Sequence, residues 1–139
     1  MDYFEIFPAD EFQAEQLDAY FSANAENGVS KLDIIHLFGK DKLEDIQKRL
    51  SKATGLAFIT VDFKGEPITE ATSFSRFCRE VRNNPVAFER CKSSDAFGSI
   101  QAAVTKKTNV YFCPCGLLEV AIPIIVRGHY LGGLSLIHI

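Results

Sequence analysis

NVYFCPCGLLEVAIPIIVRGHYLGGLSLIHI, running from Asn109 to Ile139, is the stretch that decides the fold. Cys113-Pro114-Cys115-Gly116 leads at once into an apolar run from Leu117 to Val126, and after Arg127-Gly128 a second run extends from His129 to Ile139. Two β-rich runs joined across a two-residue X-Gly step predict a hairpin, because so tight a turn needs residues that tolerate positive φ. Both runs are apolar on successive residues, so both faces of these strands are expected to meet protein or ligand. Glu119 is the single charged interruption in the first of them. A sheet with a thiol cluster at its entrance and one acid along its length can line a pocket, with the rest of the chain as its walls.

Upstream of this hairpin the period changes twice. Leu56–Val61 is strand-like, Asp62-Phe63-Lys64-Gly65 is a turn, and Glu66 to Thr72 can return antiparallel, near a sheet edge because of Pro67. Ser73 is read as the cap of a helix whose apolar residues Phe74, Phe77, Cys78 and Val81 share one face. Asn83-Asn84-Pro85 breaks that helix and opens another, with Phe88 and Cys91 on one side and Phe97, Ile100 and Val104 further on. Before the first strand, Asp41-Lys42-Leu43-Glu44 is read as the cap of a helix that Gly55 closes. Asp10 and Ser30 open two further helical segments, the second stopped by Gly39. The order is helix, two strands, a helical middle and a final set of strands. Helices inserted between hairpins of one antiparallel sheet predict an α+β fold of the PAS or GAF kind, with a natural ligand cavity between the helical middle and the sheet.

At 139 residues the chain forms one domain, long enough to bury roughly two thirds of its unfolded surface. Fifteen basic against eighteen acidic residues give a net charge of −3, which offers no electrostatic case for nucleic acid. No apolar run approaches a membrane span, and the acidic N-terminus MDYFEIFPADEF lacks the basic region of a signal peptide. The expected compartment is the cytoplasm, where four cysteines stay reduced. The chain stops in LSLIHI with no polar closing turn, which suggests one module of a longer protein.

The chemistry-bearing residues are few. Cys78, Cys91, Cys113 and Cys115 contain a single close pair, whereas structural zinc sites usually use two pairs of the C-x₂₋₄-C kind. Zinc or iron stays geometrically possible if the helical cysteines point at the Cys113 loop; otherwise Cys78 and Cys91 pack as small hydrophobes. Glu119, if buried, needs a partner: a backbone amide, Arg76, Arg79 or a ligand hydroxyl. The alternative is an exposed edge position. His36, His129 and His138 lie far apart and read as surface or packing residues, and Gly132-Gly133 permits close packing or a bulge. No triad, paired-carboxylate or phosphate-binding signature is present.

The order of motifs resembles the PocR-type sensory domain, a PAS-like ligand-binding module of prokaryotic signalling proteins. The resemblance runs from Asp41 onward: Ala53-Thr54-Gly55, the strand and turn through Asp62 and Gly65, Phe77-Cys78, then Cys91 with Ser94-Asp95. Cys113-Pro114-Cys115-Gly116-Leu117, Pro123-Ile124 and Gly128 to Gly132 complete it. Family members commonly carry Cys-His-x-Gly-Leu at the third cysteine, and Pro114 stands here at the histidine position. The resemblance implies a sensor of small molecules such as simple hydrocarbon derivatives, joined to a kinase, cyclase, chemotaxis-type or DNA-binding output domain.

These readings give a helical extension over residues 1–39, expected to form a homodimer through Tyr20, Phe21, Ile34, Ile35 and Phe38, and a ligand-sensing domain over 40–139. The expected ligand is a small, weakly polar organic molecule. Its expected site comprises Phe58, Phe74, Phe77, Cys78, Cys91, Tyr111, Cys113, Cys115 and Glu119, with no cofactor and no catalytic residue. The first alternative is a thiol-based metal or redox sensor using the four cysteines. The second is a GAF-like thiol reductase with Cys113 or Cys115 as nucleophile.

Overall fold

The structure, a computed structural model, describes residues 34–137. The expected helix from Asp10 and the cap at Ser30 lie outside the described residues. Within them the order is α1 (Ile34–Phe38), α2 (Lys40–Thr54), β1 (Ala57–Asp62), α3 (Arg76–Asn83), α4 (Pro85–Thr105), β2 (Asn109–Phe112), β3 (Leu118–Val126) and β4 (His129–Ile137). The strands form one antiparallel sheet in the order β1-β4-β3-β2. This is the expected α+β fold. Arg127 and Gly128 both take positive φ (48° and 78°), as a two-residue hairpin requires.

Side chains alternate across the sheet, which divides it into two faces with different duties. Ala57, Ile59 and Val61 of β1 join Phe74, Cys78 and Ile137 in one apolar cluster on the face that carries α3. Phe58 and Thr60 point the other way, toward α2, where Thr60 donates to Gln47 Oε1 at 2.6 Å. Toward one end of that second face α1 and α2 close a further cluster of Ile34, Leu37, Leu43, Ile124 and Leu131. Ile34 is 1% exposed and Phe38 packs against the same cluster. Both therefore belong to the domain's own core and are not free to build the dimer surface expected of them.

Local chemistry moved three boundaries. Ser75, not Ser73, caps α3, its hydroxyl accepting from the Cys78 amide at 3.2 Å. Ser73 instead takes φ 59° and hydrogen-bonds Ser51 through its hydroxyl, which leaves Phe74 outside the helix. Gly39, not Asp41, stands at the N-cap of α2. The return after β1 is a broken ladder and not a strand: Phe58 bridges Thr72 and Val61 bridges Pro67, with no continuous pairing between them. Beside four backbone bonds to β1, that segment is held by Gln47, itself 1% exposed. Its amide nitrogen donates to the Glu70 carbonyl, and its oxygen accepts from both Thr60 and Thr69. Among the described residues no helix is long and apolar enough to cross a membrane.

A buried hydroxyl left without its acceptor carries its desolvation cost unrelieved. Replacing Gln47 with leucine strands two of them, Thr60 and Thr69, at nearly unchanged volume. Gln47→Leu is expected to lower the unfolding free energy by about 2 kcal/mol, read from the shift in urea midpoint at unchanged slope.

Candidate functional site

α4 approaches the sheet more closely than side chains normally allow. A Cβ added at Gly98 would sit 2.3 Å from the Tyr111 ring, and one at Gly133 would sit 2.1 Å from Ser99 Oγ. Glycine on both sides of the contact is what lets helix and sheet meet. The residues that α4 turns inward are small or polar: Asp95, Gly98, Ser99 and Ala102 are buried. Asn84 starts the helix by accepting from the amides of Val86 and Ala87, with Pro85 in the first turn.

At the β2 end of this contact lies a narrow crevice that encloses only about 20 Å³. α3 supplies Phe77, Cys78, Val81 and Arg82, and α4 supplies Cys91. The loop between β2 and β3 supplies Cys113, Cys115 and Leu117, while Glu119 and Ile137 form part of the floor. That loop is closed by its own backbone: the Cys113 amide donates to the Leu117 carbonyl at 2.8 Å and the Gly116 amide to the Cys113 carbonyl at 2.9 Å. Cys113 Sγ accepts from the Leu117 amide at 3.4 Å, so its orientation is fixed by the turn.

The floor is electrostatically unusual. Glu119 is 3% exposed and stands directly across from Tyr111 in the β2–β3 register, with Ile137 on its other side. Burial, reinforced by the nearby Asp95 charge, pushes its carboxyl up to about 7, against the smaller opposing effects of Tyr111 and Arg82. Asp95, 1% exposed, is likewise raised by burial, although Arg82 Nη2 lies 3.0 Å from its Oδ2. The Arg82 guanidinium is itself held over the rings of Phe74 (5.0 Å) and Phe88 (5.6 Å). Even so, Arg82 Nη1, Asp95 Oδ1, Tyr111 Oη, Glu119 Oε2 and Ser135 Oγ are buried with no hydrogen-bond partner, and so are Ser99 Oγ and Tyr130 Oη further along α4. The Tyr111 hydroxyl lies close enough to act on Glu119 but makes no hydrogen bond to it. These groups act on one another, Tyr111 on both Glu119 and Ser135 and Ser135 on Asp95, so together they form a polar floor beneath the crevice.

Of the nine residues expected at the site, Phe77, Cys78, Cys91, Cys113, Cys115 and Glu119 line this crevice. Tyr111 contributes its hydroxyl beside Glu119, while its ring lies under Gly98. Phe74 is a buried neighbour of Cys78 behind the wall. Phe58 lies on the opposite face of the sheet: strand alternation sends it toward α2, so it is not part of the crevice. Arg76 and Arg79, weighed as partners of Glu119, are exposed on α3; the guanidinium that acts on Glu119 is that of Arg82. Arg82, Asp95 and Ser135 were not expected. Asp95 carries a signal in hindsight, because Cys91, Asp95, Gly98, Ser99 and Ala102 trace one small-or-polar helix face. Ser135, inside an apolar strand, carries none.

All four cysteines are free thiols and converge on the one crevice. Among the described residues no three His, Cys, Asp or Glu side chains are set to hold one metal ion, so no step through a metal follows from the arrangement. Burial pushes the Cys91 thiol up to about 11, and the Cys115 thiol is also raised, by burial first and then by Cys113. Both are thereby held in the protonated form, which is the poorer nucleophile.

Glu119 generates a test of sign. Its folded-state pKa lies above the ordinary carboxylate value, so the native protein holds a proton that the unfolded chain gives up. Stability is therefore lost as pH rises from about 4.5 toward 7, and the penalty is complete above that. Glu119→Gln removes the ionisation at constant shape. The variant is expected to melt with the parent at pH 5 and several degrees above it at pH 8, measured by thermal unfolding across that range.

Comparison with known proteins points to one family. The sequence model of a family described as the sensory domain found in PocR matches residues 36–136. Regulatory protein PocR of Salmonella typhimurium is 33% identical over 90 residues, which make up 65% of this chain and 30% of that protein. The match thus spans less than a third of the length of that relative. No solved structure matches the chain significantly. With most of its described residues inside one family's model, the chain belongs to the family of PocR sensory domains.

Proposed function

We propose that the chain is a PAS-like input domain that binds a small, weakly polar organic molecule in the crevice between α3, α4 and the sheet, without converting it. The observation that carries this reading is Glu119: a carboxylate 3% exposed, with one oxygen unpaired, at the floor of an otherwise largely apolar cleft. Phe77, Cys78, Val81, Leu117 and Ile137 supply apolar contact, and Glu119 with the Tyr111 hydroxyl fixes a ligand hydroxyl or similar donor. The domain acts in the cytoplasm as a homodimer, away from membrane and nucleic acid, and passes ligand occupancy to a covalently linked output domain. The named relative, a regulatory protein of which the match covers 30%, supports the link to a further domain.

The convergence of four thiols favours one second reading, a metal or redox sensor using Cys78, Cys91, Cys113 and Cys115. Against the metal reading, no three His, Cys, Asp or Glu side chains among the described residues are set to hold one ion, and the raised Cys115 thiol weighs against a thiol reductase acting through it. One set of melts separates the readings. For the ligand reading, a panel of short-chain alcohols, aldehydes and acids should contain a compound that raises the melting temperature. Phe77→Ala and Tyr111→Phe should lose most of that rise, their own melting temperatures falling less. Chelator should leave the parent melt unchanged. A parent melt that drops with chelator, with Cys78→Ser and Cys91→Ser already unfolded without it, would transfer the cysteines to the metal reading, since metal-binding energy is then folding energy.

A further inference from the structure

α4 leaves several of its large apolar side chains in solvent while burying small or polar ones. Its inward face carries Asp95, Gly98, Ser99 and Ala102, whereas Val86, Phe97, Ile100 and Val104 stand outward at 67%, 60%, 45% and 76% exposure. A helix covering a sheet normally turns its apolar stripe to the sheet and its polar face to water. The outward stripe also has a definite period. Val86, Arg90, Ser93, Phe97, Ile100 and Val104 are all exposed and follow one another at steps of four, three, four, three and four. A 3.5-residue repeat of this kind is the seam that one helix offers to another. It runs over nineteen residues, about 27 Å of helix.

We propose that two copies of the chain pair through this stripe, with their α4 helices antiparallel about a two-fold axis beside residue 95. In that alignment the stripe maps onto itself: Val86 meets the partner's Val104, Arg90 its Ile100, and Ser93 its Phe97. The smallest stripe residue therefore opposes the largest. The place for that aromatic ring already exists as a shallow recess lined by Glu89, Arg90, Ser93, Ser94, Phe97 and, from the β2–β3 loop, Pro114. Positions 90, 93, 94 and 97 are the four-residue hole into which a facing helix inserts a knob. Parallel pairing in register would instead stack Arg90 on Arg90 and leave the hole beside Ser93 unfilled. The closed point symmetry also accounts for why one stripe suffices for both subunits.

The surface gives a location to the homodimer of the functional reading and rests on that part of it alone; ligand binding is measured separately. It also sets the two faces of one helix to two tasks, because Cys91 and Asp95 of the same α4 border the crevice and its floor.

The test is light scattering of the full 139-residue chain across a concentration series, with circular dichroism as the check on folding. The parent is expected to be a dimer. Phe97→Glu removes the knob and Ser93→Phe fills the hole, so each should yield a folded monomer. Phe112→Glu, which changes a 72% exposed aromatic on the other side of the sheet, should leave the dimer intact. In a Cys115→Ser background, Val86→Cys with Val104→Cys should cross-link into a covalent dimer on mild oxidation, whereas Val86→Cys alone should not. A monomeric parent, a dimer that survives Phe97→Glu, or cross-linking by Val86→Cys alone would each overturn the antiparallel α4 pairing.

Discussion

The contact between α4 and the sheet, made where Gly98 meets Tyr111 and Ser99 meets Gly133, sets the terms for the rest of the molecule. At that separation there is no room for a layer of leucines, so the helix can present only small or polar groups inward. Those groups then need partners. Asp95 finds one in Arg82, reached from α3, and the arginine in turn is seated between the rings of Phe74 and Phe88. Glu119, Tyr111 and Ser135 lie beneath the same helix, where Tyr111 acts on both of the others and Ser135 on Asp95. The crevice, its charge and the outward apolar stripe of α4 are thus consequences of one close approach.

A buried Arg–Asp pair is weak evidence for stability, since desolvating both ions offsets most of their attraction. Its value here lies in position. Arg82 lowers the cost of keeping Asp95 ionised and, less strongly, that of ionising Glu119. Two carboxyls and one guanidinium in a shared low-dielectric site respond together, so a donor that bonds to Glu119 also changes the environment of Asp95. The helix that carries Asp95 is in that way electrostatically tied to Glu119 at the floor of the crevice.

The hairpin, the α+β order and the helical middle were legible in the sequence because each rests on a strong local signal: Arg127-Gly128, the change of period at Leu56, and Asn84-Pro85. Most of the crevice wall was legible too, since thiols and aromatics at helical spacing had to face the sheet. The misplacements have physical reasons. Phe58 and Ile59 are equally apolar, and only the pairing register says which of the two faces α3. Phe74 looked helical until Ser73 was held by Ser51 and passed the capping role to Ser75. The floor was the least legible part. Arg82, Asp95 and Ser135 are brought together from α3, α4 and β4, and no periodicity within one segment announces that meeting. The outward position of Phe97, Ile100 and Val104 was hidden for a related reason: an apolar stripe states its spacing but not the side from which it will be covered.

The β2–β3 connection has a consequence for how such a site can diversify. Its turn is closed on itself by the Cys113–Leu117 backbone bonds, and it hands over directly to the strand that carries Glu119. Strand side chains change face with every residue, so a loop one residue longer or shorter that shifted the register would turn Glu119 away from α4 and bring Leu118 or Val120 into its place. Point changes at Phe77, Val81, Cys91 or Cys115, by contrast, alter the walls and leave the register untouched. Lineages built on this frame would be expected to keep the register fixed and to vary the residues at the crevice mouth.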